Sequence, residues 1–124
     1  MNEYPRIADA EWEVMKVVWN AETPVTSQQI IDALADRSSW QPKTVRTLIN
    51  RLTRKGVLGY TKEGRGYLYH PRLKKEECAR EAAQSFLNRV FGGSLRPMLA
   101  QFVEEKRLSR KEIAELKRLL DGED

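Results

Sequence analysis

The segment from Pro42 to Gly56 combines a helical apolar period with a start signal and a stop signal. Its apolar side chains follow the i, i+3, i+4, i+7 spacing of a helix with one buried face; they are Val45, Leu48, Ile49 and Leu52. Pro42 suits the first helical position, where a missing N–H is harmless. Gly56 stands where a C-cap glycine ends a helix. The segment therefore predicts a helix whose apolar face packs on other elements.

The sequence around this helix contains basic residues but no acidic ones. No Asp or Glu occurs between Asp36 and Glu63. The same interval contains seven basic residues, which are Arg37, Lys43, Arg46, Arg51, Arg54, Lys55 and Lys62. The whole chain has 22 Lys and Arg against 18 Asp and Glu, so its net charge of +4 is modest. The local block predicts a surface for a polyanion; the alternative is a solvated helix face.

Two shorter helices are predicted before this segment. The first runs from Asp9 to Asn20, with Asp9 as its N-cap and Glu11 near the positive end of the helix dipole. The second runs from Ser27 to Ala35 and follows a capping box formed by Thr26 and Gln29. The sequence thus predicts three consecutive helices joined by short connections.

A β-hairpin is predicted after the third helix. Residues 57–62 and 67–71 are β-prone and rich in aromatic side chains, and Gly64 and Gly66 between them permit positive φ. Three helices followed by a Gly-tipped hairpin are typical of a winged helix-turn-helix. We therefore predict a winged helix-turn-helix DNA-binding domain over residues 1–72.

The polar face of the third helix supplies the candidate DNA contacts, because its hydroxyl, amide and guanidinium groups bond to phosphates and base edges. The N-terminal end of such a helix is best placed to enter the major groove. The candidates for reading bases there are Lys43, Thr44, Arg46 and Thr47. The candidates for phosphate and wing contacts are Asn50, Arg51, Arg54, Lys55, Lys62 and Arg65.

Residues 73–124 predict three further helices. Helical spacing covers residues 74–91, a helix begins at Ser94, and Ser109 with Glu112 forms another capping box. So short a segment buries little apolar surface by itself. A second copy of the chain is the simplest partner for these apolar residues, and we therefore predict a three-helix dimerisation domain over residues 73–124. The alternative is that these helices fold back on residues 1–72. The candidate interface residues are Phe86, Val90, Phe91, Leu95, Leu99, Phe102, Ile113, Leu116 and Leu120.

The composition argues against several other classes of protein. Cys78 and His70 are the single residues of their types, so neither a disulfide nor a metal site is expected, and His70 is assigned a structural or surface role. No apolar run approaches the roughly 20 residues of a membrane-spanning helix, and residues 1–9 lack a signal-peptide pattern. We expect a cytoplasmic protein with no membrane insertion.

The search for catalytic residues gives no candidate. The sequence contains no recognisable nucleophile–base arrangement and no glycine-rich phosphate loop, so we expect no enzyme activity and no cofactor. A protein-interaction module is the alternative function, because winged helices can bind proteins without touching DNA. The uncompensated basic face of the third helix favours DNA.

Several segments resemble the penicillinase repressor family (BlaI/MecI/CopY type). The recognition-helix segment Trp-Gln-Pro-Lys-Thr-Val-Arg-Thr-Leu-Ile-Asn-Arg-Leu at residues 40–52 is the most specific. The other matching segments are residues 10–15, 55–56, 62–65, 85–93 and 108–109. The resemblance covers almost the whole chain and is much stronger than a lone helix-turn-helix pattern.

The resemblance implies a homodimeric transcriptional repressor of dyad operators built on TACA/TGTA half-sites. Such repressors control β-lactam resistance genes together with a membrane sensor peptidase, and cleavage of the repressor in its dimerisation domain relieves repression. The matching bond here is Gln101–Phe102, where the family has Asn at the first position. Family members that control unrelated genes, under other signals, are the alternative. The copper-responsive branch has a C-terminal cysteine cluster that this sequence lacks.

Overall fold

The structure, a computed structural model, describes residues 4–122; residues 1–3, which belong to the segment examined for a signal peptide, and residues 123–124 lie outside its described part. Within that range the elements occur in the predicted order. They are α1 (Asp9–Asn20), α2 (Ser27–Ala35), α3 (Pro42–Lys55), β1 (Leu58–Glu63), β2 (Gly66–Pro71), α4 (Lys75–Phe91), α5 (Leu95–Glu104) and α6 (Arg110–Leu120). None of these helices is long and apolar enough to cross a bilayer.

The helices α1, α2 and α3 surround the core of the first unit, which comprises residues 1–82. The four apolar residues predicted on α3 are all buried, and Gly56 ends this helix with φ of 81° in the left-handed region. The other two helices contribute the buried apolar residues Val14, Met15, Val18, Ile30, Ile31 and Leu34. This core fixes which face of α3 is turned to solvent.

The N-terminal caps agree with the prediction for α2 and α6 and correct it for α1. Thr26 Oγ1 accepts the Gln29 N–H at 3.1 Å, and Ser109 Oγ accepts the Glu112 N–H at 3.0 Å. The N-cap of α1 is Ala8, and Asp9 is already helical. The expectation of an Asp9 cap is therefore wrong. No side chain of the N-cap residue bonds to the first turn; Glu11, at the third helical position, accepts the Ala8 N–H through Oε1 at 2.8 Å.

The hairpin forms with a two-residue turn. The strands β1 and β2 are antiparallel, and their pairing runs from Leu58 opposite Pro71 to Glu63 opposite Gly66. Gly64, the first residue of the turn, has φ of 60°, whereas Gly66 already belongs to β2. On its other side β2 pairs with the loop after α1, because Val25 and Tyr69 exchange backbone hydrogen bonds of 3.0 and 2.7 Å. The wing is thus tied to the helical core.

The chain divides into two compact units between Ala82 and Ala83, within α4; the predicted division of function between residues 72 and 73 stays a prediction. Trp19 Nε1 donates to the Leu73 carbonyl at 2.9 Å, and Leu73 packs against the core. Cys78 in the first turn of α4 is also buried. These contacts extend the first unit past the hairpin.

The second unit comprises residues 83–124 and is described up to residue 122. It holds the later part of α4 together with α5 and α6. No side chain in its described part is buried. Its apolar residues therefore remain partly or largely open to solvent.

Candidate nucleic-acid interface

The polar face of α3 is exposed over its whole length. All four candidates for base reading, which are Lys43, Thr44, Arg46 and Thr47, are exposed. Thr47 Oγ1 donates to the Lys43 carbonyl at 3.0 Å, so its oxygen can still accept a hydrogen bond from a ligand. Because the apolar face of α3 is held in the core, this face presents donors, acceptors and positive charge to a partner.

The candidates for phosphate contacts lie farther along the helix and on the hairpin. Asn50, Arg51 and Arg54 are exposed on the second half of α3, and Lys62 and Arg65 are exposed near the tip of the wing. These groups extend the basic surface beyond the first turns of α3. Their assignment to individual phosphates stays a prediction.

Lys55, another candidate phosphate contact, also has partners within the fold, and its phosphate contact stays a prediction. Its Nζ lies 2.6 Å from Oε1 of Glu11 and donates to the Arg6 carbonyl at 2.8 Å. Glu11 is buried, with 1% of its surface exposed. A buried carboxylate needs a counter-charge and hydrogen bonds, so Lys55 serves the fold at this position. Sequence reasoning missed this pair because the two residues lie far apart in the chain.

Three tyrosines form one face of the wing. The register places Tyr60 opposite Tyr69 and Tyr67 opposite Lys62, and the rings of Tyr60 and Tyr67 meet edge to face with centroids 4.9 Å apart. Burial raises the pKa of Tyr69, whereas Tyr60 and Tyr67 are exposed. Together with residues of α3 they border a cleft of about 420 Å³, the helix–wing cleft, lined by Asn50, Thr53, Arg54, Tyr60, Tyr67 and Tyr69.

A second open cleft of about 450 Å³ lies at the base of the wing. This wing-base cleft is lined by Thr53, Arg54, Leu58, Gly59, Tyr60, His70 and Arg72. Sequence reasoning gave His70 a structural or surface role and did not select Arg72. The signal that would have found the site is the hairpin register, which sets Gly59 opposite His70.

The predicted interface residues of the second unit all remain open to solvent. Phe86, Val90, Leu95, Phe102 and Leu120 are exposed, and the exposure of Leu120 reaches 73%. The other four, Phe91, Leu99, Ile113 and Leu116, are half-buried. Phe86 and Phe91 also pack on each other, with ring centroids 6.0 Å apart. The second unit thus presents a large apolar surface.

Comparison with known proteins gives consistent similarities over the chain. A family model described as penicillinase repressor matches residues 7–122. A penicillinase repressor of Bacillus licheniformis is 40% identical over 121 residues, with 98% of this chain and 94% of that protein covered. The methicillin resistance regulatory protein MecI of Staphylococcus aureus (strain N315) is 32% identical over 120 residues, with 97% of each covered.

A solved structure resembles part of the chain. It is the solution structure of the monomeric form of Bacillus licheniformis BlaI in complex with the blaP half-operator. The TM-score is 0.54 at 40% sequence identity, and the match covers 62% of this chain and 93% of that one.

Proposed function

The chain belongs to the penicillinase repressor family, and from this premise we propose that it is a homodimeric transcriptional repressor that binds a dyad operator. The observation that carries the proposal is the exposed face of α3. It presents hydroxyl, amide and guanidinium groups, and the helix begins with Lys43, Thr44, Arg46 and Thr47 on that face. Such groups in the major groove distinguish base pairs. The half-operator complex of the BlaI relative supports this reading.

The exposed apolar surface of the second unit supports dimer formation. Its described part contains no buried side chain, so its helices lack the core that normally stabilises them. A fully buried Leu or Phe contributes roughly 1.5–3 kcal/mol, and the exposed set of this unit includes Phe86, Val90, Leu95 and Phe102. Two-fold association with a second copy would supply the missing core. The dimer would then present two recognition helices to two half-sites.

We further propose that cleavage of the Gln101–Phe102 bond relieves repression, as the family resemblance implies. The bond lies within α5. The carbonyls of Gln101 and Phe102 accept backbone hydrogen bonds from Glu105 and Arg107 at 3.0 and 2.9 Å. Cleavage by a sensor peptidase or another protease would therefore require local unwinding of this helix. The cut would remove Phe102 and all of α6 from the dimer core.

Two classes of regulated genes are candidates for this repressor. The first is control of β-lactam resistance genes from TACA/TGTA-like half-sites, which the family membership supports. The second is control of other genes under a different inducing signal, and Gln101 in place of the family's Asn favours it. The genes adjacent to this one distinguish the two, since a β-lactamase or a membrane metallopeptidase next door supports the first.

DNA titration tests the central proposal. The full-length chain is titrated with a dyad duplex and with a random duplex of equal length at two salt concentrations. A repressor should prefer the dyad by roughly 10³-fold or more and bind with a steep salt dependence. Equal affinity for both duplexes would exclude sequence-specific repression.

Sedimentation of the full chain and of a chain that ends at Gln101 tests the dimer and the switch. The full chain of 14.4 kDa should sediment at twice that mass. The truncated chain should sediment as a monomer and should lose affinity for the dyad, because a monomer forfeits the linked second half-site. A truncated chain that stays a tight dimer would contradict cleavage as the switch.

A further inference from the structure

The wing-base cleft is built around a close approach at Gly59. A Cβ atom placed on Gly59 would lie 2.6 Å from Nε2 of His70 and 3.0 Å from Cγ and Cδ of Arg72. These distances are shorter than ordinary van der Waals contact, so only glycine lets both side chains rest on the β1 backbone here. The absent side chain thus lets the His70 imidazole and the aliphatic stem of Arg72 approach the β1 backbone at the same point.

The charge of the cleft is positive. Arg54 from α3 lines the same cleft as His70 and Arg72. Among the described residues that line the cleft, none carries a carboxylate. Two guanidinium groups with an imidazole form a donor set suited to phosphate oxygens.

We propose that the wing-base cleft binds one backbone phosphate of duplex DNA, and that this is the phosphate contacted by Arg54, separate from those predicted for the other basic residues of α3 and for the wing tip. This inference rests on the proposed DNA binding. The cleft is continuous with the exposed face of α3, because Arg54 lines both the helix–wing cleft and the wing-base cleft. It is open and not enclosed, which fits a polymer backbone that passes across it. Arg54, His70 and Arg72 hold the phosphate.

The substitution Gly59→Ala tests the proposal without a change in charge. The new methyl group displaces the His70 ring and the aliphatic stem of Arg72, and the backbone is not strained, since Gly59 is not among the positive-φ glycines. Gly66→Ala is the matched control, because this hairpin glycine also lacks a positive φ and a Cβ there meets nothing within 4 Å.

The readout is the slope of log affinity against log salt for the full-length protein on the dyad duplex and on the random duplex. Each phosphate contact contributes about 0.9 to this slope. Gly59→Ala should lower the slope by about that amount per bound protomer on both duplexes, with the dyad preference retained. Gly66→Ala should match the wild type. A wild-type slope in Gly59→Ala, or weaker binding with the slope unchanged, would overturn the proposal.

A second experiment, titration of the protein with inorganic phosphate, tests whether the cleft binds free phosphate instead of a DNA phosphate. His70 is the single histidine, so its ring signals in an NMR spectrum report on this cleft alone. A saturable phosphate-dependent shift of His70 together with a wild-type slope in Gly59→Ala would assign the cleft to free phosphate compounds and overturn the DNA assignment. If the wild type shows no dyad preference but Gly59→Ala still lowers the slope, the proposed repressor function fails and the phosphate site stands.

Discussion

The Nζ atom of Lys55 lies 2.6 Å from Oε1 of Glu11, a residue 44 positions earlier in the chain. Glu11 is 1% exposed and the Lys55 side chain 34% exposed. The same lysine donates to the Arg6 carbonyl, and the same glutamate accepts the Ala8 N–H. The pair therefore joins the last turn of α3 to the start of α1, and it holds the end of the recognition helix in the fold.

Lys55→Ala should destabilise the first unit by about 3 kcal/mol, because removal of one partner leaves a buried charge uncompensated. The expected cost lies at the lower end for such pairs because Lys55 is partly exposed. The double substitution Glu11→Gln with Lys55→Met should recover most of the loss, since Gln keeps an acceptor for the Ala8 N–H. Urea unfolding measures both free energies.

Lys16→Ala is the control for this pair. Lys16 lies 2.9 Å from Glu13 on the exposed face of α1, and an exposed pair of this kind contributes about 0.5 kcal/mol or less. Equal losses for Lys16→Ala and Lys55→Ala would show that burial of Glu11 has no effect on the strength of the pair.

Arg46→Ala should relax base preference. A bidentate contact with a base contributes about 1–3 kcal/mol of discrimination, so the affinity for the dyad should fall while that for the random duplex changes little. Arg51→Ala is the comparison variant on the second half of α3. It should lower the affinity for both duplexes by the same factor. The opposite pattern in fluorescence anisotropy titrations would mean that the base-reading face of α3 is rotated by part of a turn.

Cys78 should resist alkylation in the folded protein. Burial, with a smaller contribution from the negative charge of Glu77, raises the pKa of the Cys78 thiol above its ordinary value of 9.0, and the protonated thiol is a poor nucleophile. Iodoacetamide at pH 8 should react slowly with the native chain and quickly in urea. Equal rates in the two conditions, followed by mass spectrometry, would contradict the buried position.

The same shift predicts a loss of stability in alkaline solution. Because the folded pKa lies above the unfolded one, the contribution of Cys78 to stability is complete below pH 9 and is lost as the pH rises through the folded value. Cys78→Ser should reduce this alkaline dependence of the unfolding free energy. If the unfolding free energy of Cys78→Ser depends on pH as in the wild type, other groups cause the alkaline loss of stability.

The Ser109–Glu112 capping box should make α6 sensitive to acid. Hydrogen bonds from the Ser109 backbone and hydroxyl lower the pKa of Glu112 from its ordinary value of 4.5. The contribution of the carboxylate is present above pH 4.5 and is lost as the pH falls through the lower, folded value. Circular dichroism should therefore show a loss of helix in this range, and Glu112→Gln should flatten that part of the profile.

The elements of this protein were largely predictable because their signals are local. The period of Val45, Leu48, Ile49 and Leu52, the glycine at position 56 and the capping boxes at Thr26 and Ser109 each lie within one turn or two of the helix they define. The exposed basic face of α3 followed from the same period, since the side opposite a buried face is turned to solvent. The family membership was recognisable from the segment at residues 40–52.

The contacts that join distant segments were decided by the tertiary structure. The cap of α1 changed from Asp9 to Ala8 because Glu11 is drawn inward to Lys55. The first unit extends past the hairpin, where Trp19 donates to the Leu73 carbonyl and Cys78 of α4 is buried. No local sequence pattern at one residue of such a pair indicates which distant residue it contacts.

The sequence by itself determined the helices, the hairpin, their order and the polar surface offered to DNA, because each depends on residues within a few positions of one another. Only the tertiary structure paired Lys55 with the buried Glu11 and brought the His70 ring and the Arg72 stem together over Gly59. Those two results depend on which segments meet in space, and that is set by packing of the whole first unit and not by local spacing.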